Sequence, residues 1–145
     1  MADKSQLLLA SPIYGNGTFV WGETTAPIQH ALLKQKTGSN PSLTTCTDVN
    51  SSAVLGSYDE RRTTIGLGTA TSQLNRSLSV IEGGHTPLRA SGAITYGSEF
   101  QSAGDASGSI CAVSGTANVL GRVLQTAAHG DVVMCHFYGT ARVTG

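Results

Sequence analysis

Four histidines, at positions 30, 85, 129 and 136, and three cysteines, at 46, 111 and 135, are the side chains best suited to hold a metal or attack a substrate. Metal sites that are legible in a sequence place ligands a few positions apart, as in H-x-x-x-H or C-x-x-C. These histidines and cysteines show neither spacing. Cys135 and His136 are adjacent, but neighbours on a strand face opposite sides, so the pair does not grip one ion. A Ser/His/Asp triad can be drawn from His85, Asp105 and any of several serines, yet the sequence has no G-x-S-x-G elbow to lift a nucleophile out of a sheet. Gly15-Asn-Gly17 and Gly66-Leu-Gly68 lack the third glycine of a phosphate-binding loop and read as turns. Arg61-Arg62 after Asp59-Glu60 reads as a solvated turn, with a salt-bridged subunit contact as the alternative. The expectation is a protein that is not an enzyme, with no catalytic residue, metal or cofactor.

The frame that carries these residues is small and nearly uncharged. A chain of 145 residues and 14.9 kDa has room for one core, because single domains most often hold roughly 100 to 150 residues. Lys plus Arg (9) equals Asp plus Glu (9), and charged residues make up only 12%. That balance argues against binding driven by phosphate neutralisation, so neither nucleic acid nor an anionic membrane is an expected partner. No run approaches the roughly 18 apolar residues of a membrane span. Leu7-Leu-Leu-Ala10 is shorter than the roughly 7 to 15 residues of a signal-peptide core. The product is expected to stay in the reducing cytoplasm where it is made, and its three cysteines cannot all pair within one chain. The sequons at Asn16, Asn50 and Asn75 read as chance matches in a Ser/Thr-rich sequence.

Gly, Ser and Thr dominate the composition, the pattern of many turns joined by short extended segments, and the core is expected to be thin. Residues 1–45, punctuated by Pro12, Pro27 and Pro41, read as an extended N-terminal arm, and residues 46–145 as a β-rich domain. Within the arm, Thr18-Phe-Val-Trp21 is β-prone, and Pro27 to Lys36 fits about two turns of helix. Phe19 and Trp21 read either as packing on the domain's own surface or as anchors in a partner's groove, where aromatics dominate binding energy. Leu7, Leu8 and Leu9 divide the same way.

Further along, Leu74, Leu78 and Val80 recur at even spacing, with Arg76 the exception, and predict a half-buried strand over residues 73–81. Glu82-Gly-Gly84 is expected to turn the chain. Ala93–Tyr96 and Ser109–Val113 are each glycine-bounded and long enough for one strand. Val132–Tyr138 is the strongest candidate, with Val133, Cys135 and Phe137 on one face and Val132, Met134, His136 and Tyr138 on the other. Residues 117–128 are ambiguous. Their apolar positions fit an amphipathic helix, whereas Gly121 costs a helix about 1 kcal/mol relative to Ala and Val119 and Val123 are β-branched. Ala128-His-Gly-Asp131 makes a plausible hairpin loop with Gly130 left-handed.

Leu88-Arg-Ala-Ser-Gly-Ala-Ile-Thr-Tyr-Gly, Gly108-Ser-Ile-Cys-Ala-Val and Val119-Leu-Gly-Arg-Val-Leu-Gln-Thr-Ala-Ala-His-Gly-Asp-Val-Val together resemble the head decoration, or capsid cement, proteins of tailed bacteriophages. The resemblance spans residues 86–139. In that family a Val-x-Gly-x-Ala-Leu strand, a small-residue turn ending in Gly-Asp and a Val-rich strand follow one another. Val123 stands here where the family usually has Ala. The resemblance implies a mainly β fold, a compact β-barrel or β-sandwich (β-tulip-like) domain, and it tips residues 117–128 from helix to strand. It also implies a homotrimer on the outer surface of the virion's head, assembled in the host cytoplasm, with the major capsid protein as partner. Capsid-contacting residues are then expected in the arm: Leu7, Leu8, Leu9, Pro12, Ile13, Tyr14, Phe19 and Trp21. Other virion parts (a fibre, tail or head-completion protein) and a glycan-binding β module are the competing readings.

Overall fold

Val132 to Phe137 is apolar at every position but His136, a β-prone run that puts Val133, Cys135 and Phe137 on one face of a strand, and this segment anchors the fold. In the computed structural model, which describes residues 12–14, 19–38, 42–59 and 73–143, Val133, Cys135 and Phe137 are almost wholly buried. The strands are β1 (Pro12–Tyr14), β2 (Phe19–Trp21), β3 (Leu32–Gln35), β4 (Ser42–Thr45), β5 (Val54–Tyr58), β6 (Ser77–Leu78), β7 (Val80–Arg89), β8 (Glu99–Ser102), β9 (Ile110–Ala112), β10 (Asn118–Val123) and β11 (Val132–Val143). The protein is mainly β, and the described residues include no helix.

All of these strands share one mixed sheet in the order β6-β2-β4-β3-β5-β7-β11-β10-β8-β9, with β1 on β7. Among the described strand pairs, only β2 and β4 run parallel. The order ends at β6 and β9, so the described sheet is open and does not close into a barrel.

Two apolar clusters divide the interior. The larger joins Leu32, Leu88, Ile94, Phe100, Ile110, Leu120, Val123, Val133, Cys135 and Phe137 with several smaller residues. The second joins Trp21, Leu33, Leu43, Tyr58, Leu78 and Val80, with Phe19 and Leu55 against it. Leu32 and Leu33 are neighbours in β3 yet belong to different clusters, because successive side chains on a strand point to opposite faces. Small residues such as Cys46, Ala90 and Ala127 fill the first cluster between its larger members.

The N-terminal boundary drawn from the prolines is corrected by this packing. Residues 19–38 and 42–45 are not an arm: they supply β2, β3 and β4, and Leu32, Leu33 and Leu43 are fully buried. The helix expected over residues 27–36 is likewise replaced by β3, which pairs with β4 on one side and β5 on the other. A strand flanked on both edges and covered on both faces is apolar without alternation, so its pattern resembles a buried helical segment.

Three further expectations are revised. Glu82-Gly-Gly84 does not turn the chain but lies within β7, where Gly83 and Gly84 pair with Ile13 and Pro12 of β1 and Gly84 also pairs with Phe137. Leu74 sits in a turn beside Asn75 (φ 64°) and is exposed rather than facing the core. Ala93–Tyr96 is no strand; only Ile94 makes a bridge, to Ala127, and its side chain is buried. Ser109–Val113 contains β9 as expected.

The ambiguous segment resolves as strand β10 over residues 118–123, followed by a loop into β11. The apolar spacing misleads there, and Gly121, which argues against the helix, has a packing reason in the strand. Built as Ala, its Cβ would collide with the His136 carbonyl oxygen and lie 2.9 Å from two carbons of the Phe100 ring. The glycine lets β10 and β11 approach while Phe100 packs across them. Gly130 is left-handed (φ 84°), as the turn reading requires, and its N–H bonds to the Ala90 carbonyl at 2.8 Å. Asp131 closes the turn by accepting the Ala128 N–H on Oδ2 at 3.0 Å.

Candidate functional site

The polar face of the central strands brings together residues far apart in sequence. In register, His85 of β7 lies opposite His136 of β11, His136 lies opposite Arg122 of β10, and Arg122 lies opposite Glu99 of β8. Because Cys135 and Phe137 fill the core, His136 projects from the other face. The His85 and His136 ring centroids are 5.5 Å apart with an interplanar angle of 80°, and Tyr138 stands 5.6 Å from His136. The Tyr138 hydroxyl donates to Glu99 Oε2 at 3.3 Å. Both histidines and Tyr138 are half-buried, whereas Arg122 and Glu99 are exposed. The row carries aromatic surface at one end and opposite charges at the other, a composition suited to binding.

Beyond Tyr138 the surface dips into an open groove of about 720 Å³ lined by Ser52, Val54, Leu55, Glu82, Tyr138 and Val143 among others. Val143 is strongly exposed. The loop before β5 is held against this region by side-chain bonds. Asn50 Oδ1 accepts the Asn118 N–H at 2.7 Å, and Asn118 Nδ2 donates to the Asn50 carbonyl at 2.8 Å. Ser102 Oγ accepts the Ser51 N–H at 2.7 Å and donates to the Asp48 carbonyl at 2.8 Å. These bonds fix the loop beside the groove to β8 and β10.

The residues singled out from the sequence for chemistry are not assembled into a reaction centre by the described structure. Asp105 spends Oδ1 on the backbone N–H groups of Ser107 and Ser109, at 3.1 and 3.0 Å, which is turn chemistry. His85 instead meets His136. His129 holds its Nδ1 2.6 Å from the Ser91 carbonyl. Among the described residues, no group of three or more His, Cys, Asp or Glu side chains is placed to hold a metal ion.

The three cysteines are free thiols. Burial pushes the Cys135 thiol far above its ordinary value, with a small opposing contribution from the Leu88 backbone. Burial, and then the nearby Asp105 carboxylate, raise Cys111, while a hydrogen bond with Gln101 opposes them. Neither is an activated nucleophile, because the thiolate is the reactive form.

Of the residues expected to contact a capsid, Leu7, Leu8 and Leu9 lie outside the described residues. Pro12, Ile13 and Tyr14 form β1 against β7. Trp21 is corrected from an exposed anchor to a core residue: it is 2% exposed, and its Nε1 donates to the Thr25 carbonyl at 2.5 Å. Phe19 is partly buried against the same cluster. Gly15-Asn-Gly17, Gly66-Leu-Gly68 and Arg61-Arg62 also fall outside the described residues. The cross-strand row was missed because its members are 14 to 51 positions apart, and only strand register joins them.

Compared with protein-family models and with curated proteins, the chain matches none.

Proposed function

We propose that the protein is a decoration, or cement, protein of a bacteriophage head, binding the outer capsid surface as a homotrimer and bridging major capsid subunits. The observation that carries this reading is the hairpin of β10 and β11 with Gly130 left-handed at its turn, which is the segment whose sequence resembles that family. The cross-strand register over Gly121–Val123 and Cys135–Phe137 gives the hairpin a rigid base. Neutral net charge and sparse charged residues suit the crowding of many copies on one shell, where mutual repulsion would oppose binding. The open groove beside Tyr138 and Val143 supplies apolar surface for a protein partner. A trimer multiplies weak contacts: each further subunit engaged on the same lattice raises avidity by about 10² to 10⁴. Single-site affinity can then be poor without loss of attachment.

The test is co-sedimentation of the purified full chain with capsids lacking it, alongside its mass in solution. Trimeric mass and saturable attachment support the proposal. A monomer that stays in the supernatant while the capsids pellet, or binding that requires a sugar and no particle, refutes it.

A further inference from the structure

We infer that His85 and His136 form a bidentate site for a borderline divalent transition ion such as Zn2+, Ni2+ or Cu2+. The two residues face each other directly across antiparallel strands β7 and β11, with ring centroids 5.5 Å apart. Two imidazoles bound to one tetrahedral Zn2+ through bonds of about 2.0 to 2.1 Å place their centroids about 5 Å apart. The observed separation is close to that value, and because the rings meet edge to face at 80°, binding turns at least one imidazole until both present a nitrogen to the ion. Imidazole is the ligand type these ions favour.

The surroundings permit such an ion. Both residues are only partly buried, so water can complete the coordination. Arg122 faces His136 from β10, but Glu99 lies opposite Arg122 on β8 and offsets its charge. Tyr138 flanks His136 on the side away from the cysteines' core and is anchored to Glu99. Sequence spacing concealed the pair, since metal motifs are read over a few residues and these two meet through strand register alone. Bound metal would clamp the two central strands, and an ion held by the folded state and not by the unfolded chain raises the unfolding temperature. None of this depends on the proposed attachment to capsids.

The decisive experiment titrates ZnCl2 into the untagged full chain by calorimetry and follows the imidazole proton signals by NMR. One Zn2+ per chain is expected, shifting the signals of His85 and His136 and not those of His30 and His129. His85→Gln and His136→Gln should each weaken binding at least about tenfold, since ligand loss acts directly on affinity, while His129→Gln leaves it unchanged. Circular dichroism checks that each variant is folded. The NMR arm on the unaltered protein stands even where a variant fails to fold. No shift of the His85 and His136 signals at millimolar zinc, or wild-type affinity in a folded His85→Gln protein, would overturn the site.

Discussion

At the scale of single residues, two glycines differ in what they do. Gly121 is a matter of space: a methyl group there meets the His136 carbonyl and the Phe100 ring. Backbone on one side and a fully buried ring on the other leave little room to yield. Gly121→Ala should therefore destabilise the protein by about 1 to 3 kcal/mol or more, read as a lower denaturation midpoint. Gly130 is a matter of backbone angle alone, since nothing lies within 4 Å of a Cβ built there. Gly130→Val should cost about 1 to 3 kcal/mol, whereas Gly130→Asn should cost less because Asn tolerates the left-handed region. Equal melting of the two variants would show that the turn does not need positive φ.

The thiols give a second residue-scale prediction. In the folded protein Cys135 and Cys46 are buried and Cys111 is part-exposed with its ionisation suppressed by burial and Asp105. A disulfide-forming reagent should label Cys111 slowly and the other two only after denaturation. The sign of the pH effect follows from Cys135. Its folded value is raised above the ordinary 9.0, so the folded state retains a proton that the unfolded chain loses. Stability should be insensitive to this thiol below pH 9 and fall as pH rises above it. Cys135→Ala should flatten that alkaline slope while costing stability through the lost packing.

Among the elements, legibility followed residue type. β11 was readable because Val132–Tyr138 is a dense run of β-prone apolar and aromatic residues, with Val133, Cys135 and Phe137 on the buried face. β9 was readable from its bounding glycines. The failures lie where both faces are dry or where two elements share one role. Leu32 and Leu33 enter opposite clusters, so β3 has no period-two pattern and read as helix. Glycines 83 and 84 read as a turn, although both lie within β7 and pair with β1, and Gly84 with β11 as well. Leu33→Ala is expected to cost about 2 to 5 kcal/mol, comparable with a core position of the β-rich half, because β3 belongs to the sheet and not to an arm. A loss under about 0.5 kcal/mol, typical of a surface position, would contradict the burial of β3. The site was the least legible part, since the His85, His136, Arg122 and Glu99 row exists only through register.

For the whole molecule, the proposed attachment falls to surfaces outside the core. Trp21, once a candidate anchor, is committed to internal packing. If the extreme N-terminus contributes to binding, removing residues 1–11 should weaken attachment to capsids and spare the fold, because β1 still covers β7. Removing residues 1–14 should in addition lower the melting temperature by stripping β1 from that edge. Unchanged attachment in both truncations would place the contact elsewhere, with the groove beside Val143 as the next surface to alter.

The number of copies on purified particles tests the proposed role most directly. Quantitative mass spectrometry or particle imaging should find this chain at a copy number comparable with the major capsid protein, grouped in threes on the outer surface. A handful of copies confined to a vertex, tail or fibre, or none at all, would contradict a decoration protein.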